Sequence, residues 1–348
     1  MKDKRQGKRV KSTRTKVRSS VNNLDDLFAK FISIKKAEGR ALSTIRQYED
    51  NYGFFIEFLD RHDIKRSMTV IDRDIIREYI VYMNERLIKF EGHKYKKESV
   101  MTVGLSPSSI NTRLKTLRVL FNCLEDENLI VNNPMVGVKN VREPEEEIVI
   151  LNADELKRLL ATPNQREYSA FRDYALMHLL LDSMCRISEA LGLRRSDVDF
   201  TNKCVTIPAT IAKSRKARTI PLQPITLRLL KELISENVAD FESDYIFLAN
   251  YGEPLTRDHF RKRLNKYAKK AEIEKNVHPH LFRHTAATMF LEAGGDIRHL
   301  QMLLGHNDLR MVMRYTHLSR QSLYEQHGKY SAMNQISGKL NKPRKRKR

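Results

Sequence analysis

Apolar residues recur at helical spacing in four blocks of the first third of the chain. Leu24, Leu27, Phe28, Phe31 and Ile32 form the first. Ile45, Tyr48, Tyr52, Phe55 and Leu59 form the second, with Ser43 as its expected N-cap. Ile75, Ile76, Tyr79, Ile80 and Met83 form a third. The fourth opens with Ser106 as N-cap and Pro107 at the first helical position, then sets Ile110, Leu114, Leu117, Phe121 and Leu124 on one face. This pattern predicts a helical bundle, interrupted by a mostly polar or basic loop from about 88 to 104.

The stretch NNPMVGVKNVREPEEEIVI, from Asn132, has Pro, Gly and an acidic run but no helical period, and reads as a linker. Beyond it Asn152 and Glu155 make a capping box for a helix carrying Leu156, Leu159 and Leu160, and the apolar helix YALMHLLLDS follows. Between Asp197 and Leu222 the period shortens, and the runs VDF, CVTI and RTIPL predict a small antiparallel sheet. Helices resume at Pro224. Gly294 and Gly295 end one of them, and Asp296 can cap the next. The expected fold is mostly α with one small antiparallel β-sheet: an N-terminal helical bundle followed by a mixed α+β domain. The expected division is a basic tail at 1–20, a helical domain at 21–138, a linker at 139–149, a mixed α+β domain at 150–333 and a basic tail at 334–348.

Charge narrows the class of partner. Lys and Arg number 64 against 43 Asp and Glu, a net +21 over 348 residues, so a polyanion is the expected partner. Residues 2–18 carry +8 and residues 342–348 carry +6, leaving +7 for the body. With almost no apolar residues, both tails are expected to be disordered and to add phosphate contacts beside a bound duplex. No run approaches the roughly 20 apolar residues of a membrane helix, and the first 20 lack a signal-peptide core, so a cytoplasmic location and no membrane partner are expected. Cys123, Cys185 and Cys204 are few, odd in number and widely spaced, which excludes a disulfide framework and points to a reducing compartment.

Candidate chemistry lies in four segments of the second half: CRISEALGL with Arg186 and Glu189, AKSRKARTIPL with Lys213, HPHLFRHTAATMFLEAGG with His280 and Arg283, and LGHNDLRMVMRYTHLS with His306 and Tyr315. Cutting a phosphodiester without a metal demands cations that fork onto the nonbridging oxygens, which two arginines supply. A tyrosine can hold the phosphate covalently, a lysine on a hairpin can protonate the departing 5′ oxygen, and imidazoles can accept the phenol proton or bond a phosphoryl oxygen. Each residue also has a bland reading. Arg215, Lys216 and Arg218 rival Lys213, and His278, His280 and His284 form an H-x-H-x-x-x-H cluster that resembles a zinc site but has no Cys or carboxylate close in sequence. His284 reads as structural or as a support one turn after His280. A non-catalytic regulator with a helix-turn-helix is the alternative from a different class.

Taken in order and spacing, the four segments resemble the boxes of the tyrosine recombinase or phage integrase family. Arg186 in R-I-S-E matches its first arginine and Glu189 the acidic neighbour; Lys213, eight residues before Pro221, matches the hairpin lysine; His280 and Arg283 match H-x-x-R, His306 the L-G-H position and Tyr315 the nucleophile. LSTIRQYEDNYGFFIEFL and LSPSSINTRLKTLRVLFNCL followed by NNP resemble the family's core-binding domain. The resemblance implies a two-domain clamp on double-stranded DNA, of the Xer-like or mobile-element type and without a separate arm-binding domain. It implies a 3′-phosphotyrosine intermediate, no metal, no ATP and no other cofactor, and a homotetramer on two duplexes, with an accessory DNA-bending protein as a further candidate partner. Integration or excision of a bacterial mobile element is the expected use, and chromosome dimer resolution the alternative. One departure stands out: Ser183-Met184 replaces the usual Thr-Gly before the first arginine, so a different local turn, with Met184 crowding the site, is expected.

Overall fold

A computed structural model describes residues 22–89, 91, 101–144, 148–306, 308–313, 315 and 327–333. Both basic tails lie outside that set, as does most of the loop at 90–100. By contacts the chain divides into two units, at Glu145 and Glu146.

The first unit is built from α1 (Leu24–Ala37), α2 (Leu42–Arg61), α3 (Arg73–Val81) and α4 (Pro107–Asp126). Caps explain three of the four starts. Asn23 accepts from the Asp25 N–H, Asp72 from those of Asp74 and Ile75, and Ser106 from that of Ser109 with Pro107 following. The Ser43 cap is a correction. Helix α2 starts two residues earlier, after Ala41, with no side-chain cap, and Ser43 falls inside its first turn. The four apolar faces meet in one core around Phe31, Phe55, Phe58, Tyr79, Leu117 and Phe121. Two local pairings were hidden by polar composition. The ends of the 88–104 loop run antiparallel, with Ile88 bridged to Val103 and the Lys89 N–H bonded to the Thr102 carbonyl at 2.9 Å. Past α4, Met135 is buried in this core, and the Asn111 side chain grips both backbone groups of Val141 at 2.9 Å.

The second unit begins with α5 (Ala153–Leu160), whose Asn152–Glu155 capping box is complete, and α6 (Tyr168–Ser183). Then come α7 (Ile187–Leu191), β1 (Val198–Asp199), β2 (Cys204–Ile207), β3 (Arg218–Pro221), α8 (Pro224–Asp240), α9 (Arg257–Lys270), α10 (Pro279–Glu292), α11 (Ile297–Leu304) and α12 (Arg310–Met313). The strands form an antiparallel sheet in the order β1-β2-β3, with Val205 opposite Ile220 and Ile207 opposite Arg218. Alternation puts Val205, Ile207 and Ile220 in the core, while Thr206 and Thr219 bond each other at 3.1 Å on the other face. The main core runs through Leu176, Leu180, Leu230, Phe247, Phe260 and Phe282. A smaller cluster, which includes Met184, Ala287, Leu291, Leu300, Leu304, Val312 and Tyr315, ties the end of α6 to α10, α11 and α12. No described helix is long and apolar enough to cross a membrane.

Candidate active site

The end of α6 sets the first arginine. Ser183 donates to the Leu179 carbonyl at 2.6 Å and accepts from the Cys185 N–H, and Met184 then turns the chain with φ 52° and ψ 19°. That left-handed conformation is the one glycine takes most easily and costs another residue roughly 1–2 kcal/mol. The substitution therefore leaves a turn of the kind a glycine makes, which corrects the expectation of a different one. The Met184 side chain is buried in the small cluster beside Tyr315, and that burial offsets the backbone cost. Its carbonyl accepts from Nη1 of Arg283 at 2.6 Å. The turn thus places Arg186 at the N-cap of α7 and supplies one of the anchors of Arg283.

Glu189 joins three segments. Its carboxylate accepts from the Arg186 N–H at 2.9 Å, from Arg186 Nη1 at 3.0 Å, from Arg218 Nη2 at 2.7 Å and from the Lys213 N–H at 3.4 Å. Burial alone raises its pKa, but the Arg218 hydrogen bond, the Arg186 N–H and the two guanidinium charges outweigh burial and hold it at about 2. A folded pKa below the unfolded value contributes stability at neutral pH that is lost as pH falls from about 4.5 toward 2, about 3 kcal/mol in all. Denaturant unfolding across that range is expected to show the loss in the native chain and a flatter acid limb in Glu189→Gln. Equal acid limbs would mean that the carboxylate is not held in this way.

Arg283 is buried on α10, three residues after His280. Its Nη2 donates to the Leu304 carbonyl at 2.7 Å and lies 2.8 Å from Nε2 of His306, so the left-handed Gly305 that ends α11 delivers both a carbonyl and an imidazole to one guanidinium. Burial and the neighbouring Arg186 lower the Arg283 pKa to about 10, which still leaves it charged at neutral pH. His280 is exposed. Partial desolvation, then the charges of Arg283, His278, Arg186 and Lys213, lower its pKa and favour the uncharged imidazole. Those causes place Arg186, Lys213, His280 and Arg283 in one electrostatic neighbourhood. Lys213 is exposed in the connection between β2 and β3.

Tyr315 is buried, 6% exposed, and close enough to Arg283 to affect its pKa. Its hydroxyl lies 2.9 Å from Nδ1 of His284. The structure thus brings the second half's predicted residues together and adds two more. Arg218, weighed only as a rival of Lys213, sits on Glu189 and donates to the Leu303 carbonyl at 3.2 Å. The strand pattern held the signal, because Arg218 shares the inward face with Ile220. His284 heads the stripe of Ala287 and Leu291, which faces the Tyr315 cluster. Cys185 is buried, and burial pushes its thiol up to about 11, consistent with packing and not with nucleophilic chemistry. Among the described residues no three His, Cys, Asp or Glu side chains group to hold a metal.

Residues 150–322 match the phage integrase family, and residues 23–140 match the phage integrase SAM-like domain. Tyrosine recombinase XerD of Listeria innocua serovar 6a is 28% identical over 305 residues, which span 86% of this chain and 95% of that protein. Tyrosine recombinase XerC of Oceanobacillus iheyensis is 28% identical over 306 residues, 86% of this chain and 93% of that one. Among solved structures, the XerH site-specific recombinase bound to difH substrate in a pre-cleavage complex is 26% identical with a TM-score of 0.62, covering 87% of this chain and 84% of that one. The fold is shared with the Tn1549 transposon integrase in complex with a circular intermediate DNA, at a TM-score of 0.69 and 21% identity over 89% of this chain and 100% of that one. Since both units match and the relatives align across them, the chain belongs to the phage integrase family and is a tyrosine-type site-specific DNA recombinase.

Proposed function

We propose that this recombinase exchanges DNA strands by two transesterifications at Tyr315. The observation that carries the reading is the gathering of Arg186, Lys213, His280 and Arg283 in one cationic neighbourhood, with Tyr315 beside Arg283. The Tyr315 oxygen attacks a scissile phosphate and forms a 3′-phosphotyrosine as the bond to the 5′ oxygen breaks. Arg186 and Arg283 clamp the nonbridging oxygens, where charge grows in the transition state. Glu189 orients Arg186, and His306 and two carbonyls orient Arg283. His280, exposed beside the clamp, donates to a phosphoryl oxygen, and Lys213 protonates the leaving 5′ oxygen. A 5′ hydroxyl of the partner duplex then reverses the chemistry. The covalent link conserves the bond energy, so neither ATP nor a catalytic metal is required.

The leaving-group role is tested at Lys213. Lys213→Ala is expected to slow cleavage of a nicked suicide substrate by about 10²-fold or more. A 5′-bridging phosphorothioate leaves without needing the proton, and it is expected to recover most of that rate. Equal slowing on both substrates would reduce Lys213 to a binding residue.

We infer assembly as a tetramer on two duplexes in the bacterial nucleoid, with the basic tails adding phosphate contacts. Integration or excision of a mobile element is one use of this chemistry, and the XerC and XerD relatives favour a second, chromosome dimer resolution. Mapping covalent adducts across the host genome separates them. Adducts at the two ends of one element mark the first use, and a single chromosomal site marks the second.

A further inference from the structure

From the contact between His284 and Tyr315 we propose that His284 is a catalytic residue on the nucleophile's side of the reaction, the group that aims the phenol and takes its proton. This rests on the reading of Tyr315 as the nucleophile. Its Oη lies 2.9 Å from Nδ1 of His284, and the two rings stand 5.6 Å apart, tilted by 43°. His280, which the sequence offers as a base, is exposed among cations, whereas His284 is half-buried and touches the attacking atom itself. His306 has its Nε2 on Arg283, which fits it for holding the clamp. His284 follows Arg283 directly on α10, so one rigid helix sets the phosphate clamp and the phenol's partner relative to each other.

The step balances as follows. With its ring proton on Nε2, His284 accepts at Nδ1. As the phenol oxygen bonds to phosphorus, the phenol proton passes to Nδ1, giving an imidazolium, while the bond from phosphorus to the 5′ oxygen breaks and that oxygen takes a proton from Lys213. Rejoining runs the same transfers backward, and the imidazolium returns its proton to the departing phenol.

The test compares two reactions of the full chain on its recombination site, or on the host DNA that forms the adduct. The first is covalent-complex formation on a nicked suicide substrate. His284→Phe and His284→Asn are each expected to slow it by about 10²-fold at saturating protein, with the affinity for DNA moved by less than about 2-fold. The second is the joining of a 5′-hydroxyl strand to DNA carrying a 3′-(4-nitrophenyl) phosphate, in a Tyr315→Ala background that leaves room for the nitrophenyl group. Nitrophenolate departs without a proton, so neither His284 variant is expected to change this rate. Equal slowing in both reactions would make His284 a part of the scaffold, and wild-type cleavage by either variant would remove it from the chemistry. Tyr315→Phe run alongside keeps the two ideas apart: an adduct that survives there overturns the nucleophile reading itself.

Discussion

Arg283→Ala is expected to lower single-turnover cleavage at saturating DNA by about 10³-fold or more and to destabilise the catalytic unit at the same time. The first effect follows from losing a cation aimed at oxygens that gain charge in the transition state. The second follows from burial. Arg283 is 4% exposed, and removing it leaves the Met184 and Leu304 carbonyls without the donor that now serves them, at about 1–3 kcal/mol each. Arg283→Lys keeps the charge, but one ammonium cannot reproduce the planar fork that serves two carbonyls and His306 together. It is expected to recover part of the stability and little of the rate. Thermal unfolding and cleavage kinetics on the same preparations check both halves. A variant that is unstable yet cleaves normally once folded would confine Arg283 to structure.

Tyr315→Phe is expected to lose cleavage by at least about 10⁴-fold while folding and binding DNA as before. The side chain packs with Met184, Leu300, Leu304 and Val312, and phenylalanine keeps nearly all of that apolar area. Among the described residues the hydroxyl meets Nδ1 of His284, and loss of that contact is expected to cost about 0.5–1.5 kcal/mol. Loss of affinity in step with loss of cleavage would point to a folding defect instead.

Much of this was legible along the chain because local rules and tertiary demands agree there. The helix starts at Ser106 and Asn152 are written in single side chains, and the β2 and β3 alternation sorts core from surface residue by residue. Helix α2 shows the limit. Its start is set by backbone bonds from Thr44 and Ile45 to the Ala41 carbonyl, and no capping side chain marks it. The candidate site residues were named through the family resemblance, which carried no information about which side chains touch. Glu189 reads as a neighbour of Arg186, but its other partners, Arg218 and the Lys213 N–H, arrive through the sheet. His284 reads as one more imidazole near His280 until α12 closes and brings Tyr315 against it. The Met184 turn was misjudged for a related reason: sequence shows the missing glycine but not the buried cluster that offsets the strain of a left-handed methionine.

The central claim is that Tyr315 carries the DNA. It is tested most directly by trapping the covalent complex on a nicked suicide substrate, digesting protein and DNA, and locating the modified peptide by mass spectrometry. The expected result is a single phosphotyrosine at Tyr315 attached to a DNA 3′ end, with a free 5′ hydroxyl on the released strand. A nucleotide found on Tyr324, Tyr330 or any other side chain, or a linkage to a DNA 5′ end, would contradict the mechanism.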